Sequence, residues 1–224
     1  MKKAFVAAAL LTALALPAAA QNWSLGARTG AFVFGDFIER KLRQPGVPPS
    51  GGAVTTSTLS AKTRPGLSVD LERVLGSRWA FRAEGTFTHA PLAIKSEGSS
   101  SGTELEAGDL DVTTLAVPIV FRINRNGAFR FHLLAGPAYA MYRINGRAPA
   151  GAPVNVSDET RSEWGAMAGL GLGWQLSNRF ALEGEISDTV TTSPFREDVP
   201  DDIPGFKVPT PHNVHTTVGI RYRF

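Results

Sequence analysis

The most constraining feature of this chain is an alternation with the wrong polarity for water. In its last residues Val218, Ile220, Tyr222 and Phe224 take every second place, and Gly219, Arg221 and Arg223 stand between them. A period of two marks a β-strand whose side chains point to opposite faces. One face here is oily and the other carries charge. The same pattern recurs along the chain. The charged parity holds Arg28, Asp70, Glu72, Arg82, Glu84, Arg122, Arg130, His132, Glu183, Glu185, Arg221 and Arg223, both signs together. The other parity is Leu, Val, Ile, Ala, Phe and Trp, and its charges (Arg73, Asp111, Arg143) fall only near strand ends.

Eight strands are expected from the alternation, near 22–34, 65–75, 79–90, 110–123, 129–144, 163–176, 180–190 and 214–224. Their connections alternate in length. Gly76-Ser77-Arg78, Asn124-Arg125-Asn126-Gly127 and Ser177-Asn178-Arg179 are tight and use hairpin-tolerant residues. About 36–62, 95–108, 145–161 and 191–212 read as long loops. An up-and-down meander then puts every short turn at one end and every long loop at the other, which is the asymmetry of transmembrane barrels.

Near the short-turn end the oily parity offers Trp23, Trp79, Phe129, Trp174, Phe180 and Tyr222, a ring of aromatics at one level. A membrane–water boundary favours such a ring. The fold class expected is therefore all-β, an eight-stranded antiparallel up-and-down transmembrane barrel. An eight-stranded barrel has an interior that side chains can fill. Glycines on the charged parity (Gly26, Gly30, Gly169, Gly171, Gly173) leave room for arginines opposite. A soluble lipocalin-like barrel would need the reverse polarity. The final strand closes the cylinder against the first, because an open edge in lipid leaves amides unsatisfied.

Residues 1–20 read as a cleaved secretory signal: Met1-Lys2-Lys3, an apolar run from Ala4 to Leu16, then Pro17-Ala18-Ala19-Ala20. Residues 21–224 form the barrel domain. The apolar run is too short to span a membrane as a helix, and the chain has no cysteine for a lipid anchor. Without those twenty residues, 21 basic side chains face 20 acidic ones. Nothing in that balance argues for nucleic acid, which would need a clustered basic face.

Taken together, the signal, the meander, "LLAGPAYAMYR" (Leu133–Arg143), "AGLGLGWQLSNRFALEGEISD" (Ala168–Asp188) and the terminal aromatic strand resemble the small outer-membrane β-barrels of Gram-negative bacteria, the class of the OmpA transmembrane domain, OmpX and the opacity proteins. The resemblance covers essentially all of the mature chain. It implies residence in the outer membrane, contact with its lipid and lipopolysaccharide, and recognition of Val218, Ile220, Tyr222 and Phe224 by the barrel-assembly machinery. A periplasmic peptidoglycan-binding domain like that of full-length OmpA is not expected. Pro118 and Pro137 depart from a plain ladder, since proline removes a donor. A bulge is expected at one or the other. Asp188, on the oily parity, is expected above the hydrocarbon unless the strand has ended before it.

Function is sought in three places. The inward charges read first as a self-compensating plug, because unpartnered buried charge is costly, and second as a gate for ions or small solutes. An enzyme would need a histidine beside a serine or an acid at the rim. His89, His132, His212 and His215 lack the His-x-Ser pattern of lipid A deacylases, and the acids Asp201-Asp202 with His212 only faintly match a barrel protease. No enzyme, cofactor or metal is expected, and the histidines read as rim or lumen hydrogen-bonding groups. The loops remain: Glu39-Arg40-Lys41-Leu42-Arg43 with "QPGVPPSGG", "KSEGSSSGTELEAGD", and Arg196-Glu197-Asp198 with Asp201-Asp202. They read as solvated surface or as a binding surface for host matrix, phage or anionic lipid heads. The functional expectation is an envelope barrel with a filled lumen and loop-mediated surface binding. The alternatives are a narrow gated pore and a lipid-modifying rim enzyme.

Overall fold

The computed structural model describes residues 22–43, 54–97, 103–124, 127–147, 156–196 and 205–224. The expected signal (1–20), "QPGVPPSGG" and Asp201-Asp202 lie outside the described residues.

Twelve strands are described: β1 (Trp23–Phe34), β2 (Asp36–Arg43), β3 (Val54–Ala61), β4 (Arg64–Val74), β5 (Trp79–Glu97), β6 (Thr103–Ala116), β7 (Ile119–Arg122), β8 (Phe129–Gly146), β9 (Glu159–Gln175), β10 (Phe180–Thr191), β11 (Phe206–Lys207) and β12 (His212–Arg223). With β6 and β7 counted as one interrupted strand, they close a ring of eight: β1, β4, β5, β6–β7, β8, β9, β10 and β12, every pair antiparallel. The seam runs from Ser24 opposite Arg223 to Phe34 opposite Asn213. The amide of Phe224 adds a bond to Trp23 O at 3.1 Å. At this seam a Cβ on Gly219 would lie 2.0 Å from Ala27 O, and one on Gly30 would lie 1.9 Å from Thr216 O, so the strands approach only because side chains are missing.

The tight turns have local causes. Asn124 Nδ2 donates to Phe129 O at 2.6 Å and its Oδ1 accepts the amide of Phe131 at 2.7 Å, which closes the β7–β8 turn around Gly127 (φ 110°). The Ser177 hydroxyl accepts the Phe180 amide at 3.1 Å across the β9–β10 turn.

The two prolines make no bulge. The β5 register carries on across Pro118, with Glu84 opposite Ala116 before it and Phe81 opposite Ile119 after it. Pro118 merely splits the strand, and its carbonyl still accepts from Arg82 N at 3.0 Å. Pro137 pairs with Ala166 in unbroken β8–β9 register, and its carbonyl accepts from Val117 N at 3.0 Å. The expected bulge is therefore corrected: inward and outward parity holds through both. Register irregularities lie instead between Leu92 and Ala93, beside Gly108, which takes φ 134°, and between Asp36 and Ile38 on β2.

The long-loop reading of 36–62 is also corrected. Most of the described part is a hairpin, β2 with β3, and β3 takes over as partner of β5 from Ala61 opposite Leu92 to Thr56 opposite Glu97. β5 and β6 likewise run on above the barrel to Ser96 opposite Thr103. The wall thus rises past the membrane as a sheet. The charged sequence of β2 and the Ser/Thr-rich sequence of β3 hid these strands, because their inward residues face a core that no sequence window reveals. Lys62 pairs with Glu104 and Lys41 with Glu39 at 2.8 Å, and each hydrogen bond from the lysine holds the carboxyl below its usual range.

Outside, the oily parity faces away from the axis as expected: Trp79, Val117, Leu170 and Ile220 are exposed. At the short-turn end Trp79 packs on Phe121 (4.8 Å between centroids), Phe129 stacks on Trp174 (6.0 Å), and Tyr222 touches Phe180 (5.1 Å) and Phe224 (5.3 Å). Arg73 lies over Trp23 at 5.5 Å. Towards the other end Tyr139 meets Trp164 at 4.9 Å. Ten residues separate Trp164 from Trp174 along β9. At about 3.3 Å per residue and a tilt of about 40°, that spans about 25 Å, the height of an outer-membrane apolar band. No described helix is long and apolar enough to cross a membrane.

Candidate functional site

The inward residues build a lumen with two storeys. The storey next to the short turns is ionic. β4 and β5 bring Asp70, Glu72, Arg82 and Glu84 inward, β10 brings Glu183 and Glu185, and β1 and β12 bring Arg28 and Arg221, all essentially buried. Arg82 donates to Glu185 at 2.6 Å and to Glu72 at 2.9 Å, with Asp70 at 3.6 Å and Glu84 at 3.7 Å. Arg28 reaches Glu185 at 2.9 Å, Glu84 at 3.0 Å, Asp70 at 3.1 Å and Glu183 at 3.8 Å. Arg221 binds Glu183 at 2.6 Å and Asp70 at 2.8 Å. Arg122 binds Glu72 at 2.5 Å, and His132 stands 3.2 Å from Glu185.

Each carboxylate therefore touches a cation. Strand register explains it: Asp70 lies opposite Glu84 and Gly26, and Glu72 lies opposite Arg82. Like charges across one pair of strands are separated by arginines reaching in from others. On the facing wall β9 turns mostly glycine inward: Gly165, Gly169, Gly171 and Gly173. Gly171 has no room for a Cβ, which would meet His132 Nε2 at 2.2 Å, and Ala116, Ala138, Val120, Leu134 and Met167 form a small apolar patch beside it. Long cations fill what small residues leave.

Of the sequence-predicted inward charges, the structure joins Arg28, Asp70, Glu72, Arg82, Glu84, Arg122, Glu183, Glu185 and Arg221 into one ion-paired cluster. Arg130 and Arg223 are not joined to it. They line the end of the lumen by the short turns, without a carboxylate in ion-pair distance among the described residues.

The upper storey corrects the expectation of a polar interior throughout. Phe32, Phe34, Phe37, Ile38, Leu59, Leu92, Ile94, Leu110, Val112, Tyr142, Ile144 and Phe195 are buried together, as in a soluble core. Phe37 packs on Phe195 at 5.5 Å and on Tyr142 at 6.3 Å. Ser193 donates to Phe37 O at 3.0 Å and fixes the β10 end over the β2 start. The Tyr142 hydroxyl meets Thr191 at 2.8 Å and accepts from Asn213 at 3.0 Å, so its polar atom is satisfied below the apolar cap. Sequence reasoning missed this storey. Its signal was present in Phe32 and Phe34, inward by parity on β1, and in the Leu92-Ala93-Ile94 run after the β5 alternation ends.

The histidines divide. His89 Nδ1 lies 2.6 Å from Asp111, and His212 Nδ1 lies 2.6 Å from Asp188, both on the outer face. Asp188 therefore sits within β10, beside a histidine, and the strand continues beyond it to Thr191. His215 departs from its expected hydrogen-bonding role. It is buried with its ring 4.2 Å from Phe32, and its Nδ1 has no partner.

Comparisons with known proteins agree with this architecture. The family model described as "Outer membrane protein beta-barrel domain" matches residues 6–224. No curated protein matches the chain by sequence. Among solved structures, the outer membrane protein OprG of Pseudomonas aeruginosa is similar at 11% identity and a TM-score of 0.53, covering 92% of this chain and 96% of that one. The outer membrane protease OmpT of Escherichia coli is similar at 10% identity and a TM-score of 0.51, covering 93% and 99%. Ail, the attachment invasion locus protein of Yersinia pestis, is similar at 15% identity and a TM-score of 0.43, covering 91% and 99%. At these identities the likeness is one of fold. By the family match over nearly its whole length, the chain belongs to the outer-membrane protein β-barrel domain family, proteins of the outer membrane of Gram-negative bacteria.

Proposed function

We propose that this protein is a closed outer-membrane barrel that acts at the cell surface, with the sheet raised by β2, β3, β5 and β6 as its binding platform. The observation that carries the reading is the pair of seals in series, an ionic one and an apolar one. A solute path would have to break both. The platform is stiff, because its inward residues belong to the apolar storey, so it presents its outward residues in a fixed register. Rigid presentation lowers the ordering cost of binding.

Lipid and lipopolysaccharide around the aromatic rings, and the assembly machinery at Val218, Ile220, Tyr222 and Phe224, are the partners that fit the outer wall and the seam. An enzyme fits less well. Asp111 and Asp188 occupy His89 and His212, and no hydroxyl is hydrogen-bonded to either histidine among the described residues.

Two measurements test the proposal. Single-channel recording in planar bilayers should show no current for wild type, Glu183→Ala or Arg221→Ala, since the apolar storey remains; sustained current in either variant would favour the gated pore. Cells displaying the protein should adhere to matrix-coated plates, and replacing residues 36–61 by a Gly-Ser linker should abolish adhesion. Unchanged adhesion would remove the platform from the account.

A further inference from the structure

The end of the barrel by the short turns is populated by arginines: Arg73, Arg78, Arg122, Arg130, Arg179 and Arg223. Three of them, Arg122, Arg130 and Arg223, line the mouth of a cavity that the lumen opens at that end, together with Glu72, Gln175 and Gly173. The carboxylates near them are already engaged. Glu72 accepts from Arg122 at 2.5 Å through one oxygen and from Arg82 at 2.9 Å and 3.1 Å through the other. Glu183 accepts from Arg221 at 2.6 Å through one oxygen, and its other oxygen, without a hydrogen bond, lies 3.8 Å from Arg28. Arg130 and Arg223 are left facing the same space with no carboxylate in ion-pair distance among the described residues, and Arg130 Nε is buried with no hydrogen-bond partner. A guanidinium cannot shed its proton to relieve this. A buried donor without an acceptor is uncommon.

We propose that this periplasmic mouth is an oxyanion site, which takes a phosphate or carboxylate group between Arg130 and Arg223 with Arg122 beside it. Guanidinium forks suit both groups, because each offers paired oxygens at matching spacing. The inward parity of Arg130 and Arg223 turns them from the surrounding lipid, so the ligand arrives from the periplasmic water. The cavity above holds only about 20 Å³, room for about one water. The anion therefore rests at the opening and does not pass inward. The two seals make this a binding site and not the entrance of a channel.

Titration calorimetry on folded, detergent-solubilised protein tests the site, with inorganic phosphate and acetate each added at constant ionic strength against chloride. Saturable binding of at least one is expected, and which one binds identifies the group. Arg130→Gln with Arg223→Gln should weaken it at least tenfold, with folding checked by heat-modifiable gel mobility. Should that double variant not fold, Arg223→Lys keeps the charge but loses the fork, and a several-fold loss is expected. Absence of saturable binding, or equal binding by wild type and the variants, overturns the proposal. So does binding seen only with phosphatidylglycerol nanodiscs and with neither free anion, since that would place the contact on the outer wall.

Discussion

Removing the Arg82 guanidinium while keeping its bulk, as Arg82→Met, should destabilise the barrel by about 3–5 kcal/mol, the range for breaking a buried ion pair from one side. The structure sets this magnitude. Arg82 is 1% exposed and lies within 4 Å of four carboxylates, Glu185 at 2.6 Å, Glu72 at 2.9 Å, Asp70 at 3.6 Å and Glu84 at 3.7 Å. Arg28, Arg122 and Arg221 remain to compensate these carboxylates, so the loss stays within that range instead of growing with each contact. An exposed ion pair would contribute only about 0.2–1 kcal/mol. The assay is equilibrium unfolding in urea of the refolded protein in lipid vesicles, followed by tryptophan fluorescence, with the midpoint and slope compared. A second variant sharpens it. Glu185→Gln removes the charge nearest to Arg82, so the double variant should be less destabilised than the sum of the singles, by about 0.5–3 kcal/mol of coupling. A loss under about 1 kcal/mol for Arg82→Met, or strict additivity with Glu185→Gln, would mean that water reaches these groups and that the ionic seal does not exist.

Other outcomes follow from the same geometry. Gly219→Ala puts a Cβ 2.0 Å from Ala27 O at the closing seam, so strands β1 and β12 must part; folded yield, read by heat-modifiable mobility, should fall sharply, while Gly184→Ala, whose Cβ meets nothing closer than 3.9 Å, should not. Leu170→Arg sets a charge in the middle of the outward face and should cost about 2–4 kcal/mol in lipid vesicles; a neutral result would dispute which side meets hydrocarbon. Phe195→Ala should cost about 3–5 kcal/mol by opening a cavity in the apolar storey, measured by the same urea titration.

The legible part of this molecule is the part governed by a short period. Trp79, Leu170 and Ile220 declare the outer wall because a residue and its second neighbour must face opposite ways, and lipid accepts only one kind of face. The parity of Pro118 and Pro137 was readable for the same reason, but the bulge expected there was not found, since the strands keep register by leaving one donor out of the ladder. The hairpin of β2 and β3 was illegible, because charged and Ser/Thr-rich sequence reads as loop until Phe37 and Leu59 join Leu92 and Phe195 in one core.

The amino-acid order alone determined the solvent of each face, the count of crossings and the end at which the turns lie, because these follow from alternation and from where glycine, asparagine and serine interrupt it. Only the tertiary structure decided which arginine meets which carboxylate, that Arg130 and Arg223 meet none, and that an oily storey caps the ionic one. Those outcomes depend on the stagger between strands far apart in the chain. A shift by two residues would preserve every face and change every partner.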